Sequence, residues 1–517
     1  MNTLLQNAYS AAVSENFLYS RYKDQWEFLL RSYIGGKEYR DGGYLTRYQL
    51  ESDGDYNVRL DITPLDNQCK SIISLYNSFL FRTPIERDMQ GFEHDPDVEN
   101  MLLDADLDGR SMDHFMKEVA TWSQVFGHCW ISIVKPNSNA STRAEELQQN
   151  VRPYLAVYSP LSVTDWTWER TTSGQYELAE IKYTEEINDT EIAVKYWTRT
   201  TITTTVVNTQ AKRAQSVTQE PNTLGRLPFV LCYSERSPVR GIGISVIADI
   251  AGHQRKIYNE LSEVEQSIRL DSHPSLCATE HTQIGTGAGA IIRLPENLDP
   301  NLKPYVLQFT GAAVDKIYLS INNSKNMIDS MANVGSVRAT ETKEMSGFAL
   351  ETEFQLLNAR LAQLGDNLEL CEEQIWRWVG EYIGQPWAGT VKYPDSFMLR
   401  DTDRELRQLT QAAATVTDPE RKMAIESEIM EVIAVDYPEE PDPESVLIDG
   451  VEYELGEEEY GRTYPSGEPI SEYLPSAYQP AATEQNCANC GYYAAGICSR
   501  WNNARVKANY WCRAWEA

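Results

Sequence analysis

The chain has 517 residues, of which 46 are basic and 76 acidic, giving a formal charge of −30 at neutral pH. A surface this acidic does not condense onto DNA phosphates by counterion release, so ordinary nucleic-acid binding is disfavoured. A polyanion could slide past such a surface without sticking, and solubility alone is the plainer account of the same charge. No run of about 18 apolar residues could form a transmembrane helix. The N-terminus, Met1-Asn-Thr-Leu-Leu-Gln-Asn7, lacks the charged and apolar regions of a secretory signal, so the expectation is synthesis in the cytoplasm without a membrane. The length suggests roughly two to four domains.

Residues 1–127 read mainly as helix. Asp24-Gln-Trp-Glu-Phe-Leu-Leu-Arg-Ser-Tyr-Ile34 ends at Gly35-Gly36, a helix stop. A second helix is expected over 65–80, where Ile72, Ile73, Leu75, Tyr76 and Leu80 form a stripe, and a third over 112–126 after an acidic patch at 93–108. Residues 128–243 then turn β-rich. Trp130-Ile-Ser-Ile-Val134, Tyr154-Leu-Ala-Val-Tyr158, residues 176–183 and 192–197, and the β-branched run 200–207 predict an antiparallel sheet or small barrel.

Helix returns with Ile250, Ile257, Leu261, Val264 and Ile268 on one face, stopped by His273-Pro274. Residues 272–311 are strand-and-turn material, with Gly285-Thr-Gly-Ala-Gly-Ala290 and Pro295, Pro300 and Pro304. A further helix carries Ile317, Ile321, Ser324, Ile328 and Met331 on one face. After a polar segment comes the longest helix, in which Leu350, Phe354, Leu357, Leu361, Leu364, Leu368, Cys371, Ile375, Trp378 and Tyr382 keep 4-3 spacing. That spacing predicts a seam packed along another helix. Residues 399–435 are a charged helical region. Residues 436–486 hold 14 acidic residues, one arginine and seven prolines, which predicts an extended acidic linker with one short hairpin near 446–455.

Four of the nine cysteines close the chain as Cys487-Ala-Asn-Cys490, Cys498 and Cys512. A C-x2-C pair with two later thiolates suits tetrahedral zinc or a [4Fe–4S] cluster; disulfides are the bland alternative. The spacing lacks the second close pair of most zinc ribbons. Tyr492, Tyr493, Trp501, Tyr510, Trp511 and Trp515 form an aromatic surround that favours iron. Gly496-Ile-Cys498 with Val506-Lys-Ala-Asn-Tyr-Trp-Cys512-Arg-Ala-Trp515 resembles the C-terminal half of high-potential iron–sulfur proteins. The middle gap is shorter than in that family, and Tyr510 stands where the family has glycine. The resemblance implies a cluster-binding module at 487–517 with Cys487, Cys490, Cys498 and Cys512 as ligands. Cys69, Cys129, Cys232, Cys277 and Cys371 are scattered singly, as free thiols of a reducing compartment are.

The order of elements over residues 20–435 resembles a tailed-bacteriophage portal protein. Two segments carry it most closely: Tyr33-Ile-Gly-Gly36 … Tyr44 … Asp61-Ile-Thr-Pro64 … Ile72-Ile-Ser-Leu-Tyr76 … Phe81-Arg-Thr-Pro84, and Glu344-Met-Ser-Gly-Phe-Ala-Leu-Glu-Thr-Glu353. The resemblance implies an α+β, mainly helical fold. In it, 1–127 and 128–243 form a wing, 244–271 and 312–333 a stem pair, and 272–311 a clip. Residues 334–347 become a tunnel loop, 348–384 a long tunnel helix and 385–435 a crown. It further implies a ring of about twelve subunits at one capsid vertex of a virion, with double-stranded DNA passing through. The implied partners are the major capsid protein, terminase and a neck or adaptor protein. Arg338 and Lys343 are the loop's basic side chains, placed by the resemblance against DNA phosphates; a solvated polar loop is the alternative.

No catalytic motif is found. There is no G-x-x-x-x-G-K-[ST] for a packaging ATPase, and the glycines at 285–289 do not lead from a strand into a helix as dinucleotide sites require. The six histidines form no metal-binding pair, and His128-Cys129 point to opposite faces of a strand. An iron–sulfur electron-transfer protein on a large helical scaffold is the competing reading, and a helical adaptor a third. The electron-transfer reading lacks a partner cofactor or substrate site within reach.

Overall fold

In the computed structural model, residues 2–136, 142–272, 275–279, 299, 304–307, 312–338 and 347–397 are described. Beyond them come residues 410, 413 and 421 and the short strands given below. The chain divides into two compact units, Met1–Leu399 and Arg400–Ala517.

The first unit mixes helix and sheet. It opens with α1 (Asn2–Ala12), α2 (Phe17–Ile34), α3 (Gly36–Asp41), α4 (Asp53–Ile62) and α5 (Gln68–Leu80). The Asn16 side chain accepts the Leu18 N–H at 2.9 Å to start α2, and Gly35, with a positive φ, ends it where expected. The helix expected from 65 starts at Gln68, because Asn67 caps it by accepting the Lys70 N–H at 2.9 Å. Strand β1 (Glu86–Asp88), α6 (Pro96–Leu103) and α7 (Met112–Phe126) follow. Trp26 and Leu29 of α2, Ile72, Ile73 and Tyr76 of α5, and Phe115, Met116 and Val119 of α7 are buried together in one core. Three amphipathic stripes thus close on each other.

Strands β2 (His128–Val134), β3 (Tyr154–Tyr158), β4 (Val163–Arg170), β5 (Tyr176–Asn188), β6 (Glu191–Thr198), β7 (Thr201–Asn208), β8 (Arg213–Pro221) and β9 (Phe229–Tyr233) come next, with α8 (Arg143–Gln148) between β2 and β3. They do not make the single sheet or barrel expected. They split into an antiparallel sheet ordered β3-β2-β9 and an antiparallel meander ordered β4-β5-β6-β7-β8. The cause is burial: β2 is buried at six of its seven positions and needs cover on both faces, whereas β8 is exposed at all but one.

Helix α9 (Ile250–Ser272), β10 (Ser275–Cys277), β11 (Tyr305–Leu307), α10 (Ala312–Met331), the single turn α11 (Gly335–Arg338), α12 (Gly347–Ile383) and β12 (Thr390–Lys392) complete the unit. Leu357, Leu361, Leu364, Leu368, Cys371, Ile375 and Val379 of α12 are buried. α12 packs against helices α5, α7 and α11, as the spacing predicted, and also against strands β9, β12 and β2, which it did not. A 4-3 repeat requires only an apolar surface opposite it. A straight helix drifts steadily out of step with a seven-residue repeat, so the buried line moves from Trp378, which is half-buried, to Val379. Residues 385–397, expected with the crown, also belong here. β12 pairs antiparallel with β1, and Trp387, Val391, Tyr393 and Phe397 enter the core because four apolar side chains so close together need cover.

In the second unit, strands Ser445–Ile448 and Val451–Glu454 pair as a hairpin, the one expected near 446–455. Tyr493–Ala494, Ile497–Cys498 and Ala504–Arg505 form a three-stranded antiparallel set, and Gln479–Pro480 pairs with Tyr510–Trp511.

Candidate functional site

The segment 250–338 holds the elements for which the sequence suggested a conduit. α9 and α10 lie side by side and antiparallel. Lys256 Nζ donates to Ser324 Oγ at 3.1 Å and Ser320 Oγ to Glu260 Oε1 at 2.6 Å, so residue numbers rise on one helix as they fall on the other. Ile257 and Val264 of α9 and Ile321 and Ile328 of α10 are buried, as the stripes predicted, while Ile268 and Met331 at the ends are exposed. The insertion joining the helices begins and ends in a two-stranded ladder, with Ser275 opposite Leu307 and Cys277 opposite Tyr305. The glycine cluster 285–289 lies outside the described residues.

The other sides of α9 are fastened by polar groups that sequence reasoning missed. Gln254 accepts the Cys69 N–H at 2.9 Å and donates to Ser32 O at 2.9 Å, which ties α9 to α5 and α2. Asn259 accepts the Thr46 N–H at 2.7 Å and donates to Tyr44 O at 3.0 Å. Arg59 of α4 is the centre of this clasp. It is 1% exposed, gives two bonds of 2.7 Å to Glu51, donates to Ser262 Oγ of α9 at 3.0 Å, and lies 4.0 Å from the Tyr48 ring centroid. The Arg59 hydrogen bonds hold the Glu51 carboxyl below its ordinary pKa, against the opposing effect of burial. Nothing in the spacing of Glu51 and Arg59, one in a turn and one in a helix, marks them in sequence.

Arg338 sits at the end of α11, with Asp329 Oδ1 2.8 Å from Nη1, and it also donates to Gln68 Oε1. Burial raises the Asp329 carboxyl above its usual range while Arg338 and Lys325 pull it down. The Arg338 charge is thereby matched within the chain, an arrangement the loop sequence did not reveal. Lys343 lies outside the described residues.

Farther along, α12 carries Glu372, whose side chain is fully buried. It accepts from Arg87 Nε, from Trp376 Nε1 at 3.2 Å and from Tyr393 Oη at 2.8 Å. Arg87 also pairs with Asp113 at 2.6 Å. Burial alone would lower the Arg87 pKa, but the two carboxylates outweigh it and raise it.

His128 and Cys129 make no dyad. His128 is fully buried against Trp26, accepts the Gly243 N–H at 3.2 Å through Nδ1, and is pushed down to a pKa of about 3 by burial. Cys129 faces Cys232 across β2 and β9 as a free buried thiol. Of the four tail cysteines, Cys498 is described: a free thiol, 6% exposed, on the strand opposite Tyr493. Cys487, Cys490 and Cys512 lie outside the described residues. Among the described residues no group of three His, Cys, Asp or Glu is placed to hold a metal ion, and no helix is long and apolar enough to cross a membrane.

No family model matches the chain, and no curated protein matches it. Among solved structures, the chain is similar to one in the neck of an empty gene transfer agent particle computed with C6 symmetry. The TM-score is 0.43 at 11% identity, over 76% of this chain and 99% of that one. It is similar also to a chain in the virion of a native gene transfer agent particle, with a TM-score of 0.38 at 12% identity over 69% of this chain and 89% of that one. A chain in the neck of the native particle computed with C12 symmetry gives 0.36 at 11% identity, over 77% and 98%.

Proposed function

We propose that the chain is the subunit of a portal-type ring at one vertex of a phage-like capsid, with a structural and not an enzymatic role. The ring, of about twelve copies, serves as the channel for double-stranded DNA during packaging and ejection, and as the attachment point for terminase, capsid and neck or adaptor proteins. The observation that carries the reading is the antiparallel pair α9–α10, which flanks an insertion closed by a short ladder and is followed by a 37-residue helix. That order of parts is what a portal-like chain requires of its stem, clip and tunnel helix; the warrant is architecture, which by itself fixes no chemistry. Negative-stain microscopy of the purified chain tests it: rings with a central hole are expected, and a monodisperse monomer in every condition refutes it.

The tail is read as a structural module in which Cys487, Cys490, Cys498 and Cys512 hold a [4Fe–4S] cluster, with zinc as the second choice. Four metal–thiolate bonds would tie these cysteines together and stabilise the short strands around them. The cluster supplies strong absorbance near 400 nm and about four irons per chain. Cys512→Ser is expected to abolish both; a variant that stays brown overturns the ligand set.

A further inference from the structure

A cleft of about 780 Å³ opens in the first unit between the turns of the meander, β9 and the outer face of α12. Its volume falls within the roughly 300–1,000 Å³ usual for ligand clefts. Five arginines line it (Arg199, Arg226, Arg236, Arg240 and Arg377) against two carboxylates, Glu177 and Glu381. On a chain of formal charge −30 this concentration of cations is anomalous.

Three of the five have acidic partners. Arg226 pairs with Glu177 and Glu381, Arg199 with Glu169 and Glu177, and Arg377 with Glu373. Arg236 and Arg240 have no ion pair among the described residues, yet their positions are set by rings. Arg240 lies 3.8 Å from the Tyr176 centroid and 5.8 Å from that of Trp168, and Arg236 lies 5.9 Å from Tyr233. A guanidinium held near a ring face and not engaged by a carboxylate of the chain has N–H groups to offer a ligand carboxylate. Beside them the lining mixes polar side chains with apolar ones, and Leu370 of α12, 59% exposed, offers an aliphatic contact there.

We propose that this cleft docks an acidic peptide segment of a partner protein, one with carboxylates for Arg236 and Arg240 and an aliphatic side chain for Leu370. Nucleic acid fits worse. Glu177 and Glu381 break the positive surface into separated points where a phosphodiester chain needs a continuous track, and Leu370 has no counterpart on a phosphate backbone. The cleft lies wholly within the first unit, so the inference stands whether or not the chain forms a ring.

The test uses the full chain and fluorescence anisotropy of a labelled peptide, Glu-Glu-Leu-Glu-Leu-Glu-Glu, with its all-glutamine counterpart and a 12-nucleotide oligothymidine as competitors. Saturable binding of the acidic peptide is expected, at least tenfold weaker for the glutamine version. The double variant Arg236→Gln/Arg240→Gln is expected to weaken it about tenfold or more, and Leu370→Asn about threefold. Neither variant breaks an ion pair among the described residues, and an unchanged melting curve checks the fold. No peptide binding, or binding indifferent to both variants, overturns the proposal. Tighter, variant-sensitive binding of oligothymidine overturns it in favour of nucleic acid. A change of oligomeric state in the double variant does so in favour of a second copy of this chain.

Discussion

Replacing Glu372 by alanine isolates the buried charge network that holds α12 to β1 and to the segment after it. The substitution strips the Arg87 guanidinium, 12% exposed, of one carboxylate, and leaves Trp376 Nε1 and Tyr393 Oη without their acceptor. Breaking one partner of a buried ion pair costs about 3–5 kcal/mol. The 2.6 Å pair with Asp113 remains to Arg87, so the lower end, about 3 kcal/mol, is expected. The first unit spans Met1–Leu399. At roughly 2.1 cal/mol/K per residue its unfolding entropy is about 0.8 kcal/mol/K, so the midpoint should fall by about 4 °C. Urea unfolding followed by tryptophan fluorescence reads the change directly, since Trp376 is part of the network. Arg87→Met with Glu372→Leu should recover part of the loss, because two charges leave the interior together. A loss under about 1 kcal/mol for the single variant, or a double variant less stable than the single, would refute the assignment.

Two further outcomes follow from the clasps around α9 and α10. The Glu51 carboxyl, held by Arg59 below its ordinary value of 4.5, stabilises the fold above that value and loses this contribution as pH falls through its lowered folded pKa. Glu51→Gln should therefore cost about 2 kcal/mol at pH 7 and flatten the acid limb of stability below about pH 4.5; an acid limb of unchanged steepness sinks the idea. Arg338→Ala removes a part-buried pair with Asp329 and should cost about 1 kcal/mol in urea while leaving filter binding to DNA unchanged. Wild-type stability with weakened DNA binding would instead place Arg338 on phosphate.

Elements were legible where local signals are self-sufficient. α7 occupies 112–126 as the stripe predicted, with Ser111 as its cap, and α2 stops at Gly35 because the chain there needs a positive φ. Strands β4, β8 and β9 were missed. β4 mixes Trp166 and Trp168 with Asp165, Glu169 and Arg170, and β8 is polar along most of its length, so neither alternates cleanly; β9 is a short apolar run without alternation, which periodicity does not assign to a strand. The partners of α12 were illegible because a heptad stripe records that one face is covered and not what covers it. The Arg59 clasp and the Arg236–Arg240 cleft escaped for a related reason. Each joins residues far apart in the chain, as Ser262 is from Arg59, and no window along the sequence contains them.

The ion pairs bear on why so acidic a chain would suit a DNA conduit. Many of its cations are already engaged: Arg59 with Glu51, Arg87 with Glu372 and Asp113, Arg110 with Asp106 and Glu118, Lys325 with Asp66, Arg338 with Asp329. Several of these pairs join separate elements, and each removes a positive charge from those able to grip a phosphate. The chain carries 76 acidic residues against 46 basic ones, and physiological salt screens the repulsion of exposed carboxylates beyond a Debye length. On the proposed reading, DNA passing such a surface would meet few unmatched cations. A ring of the proposed kind would then have few tight phosphate contacts to break as DNA moves, which is the property a conduit requires.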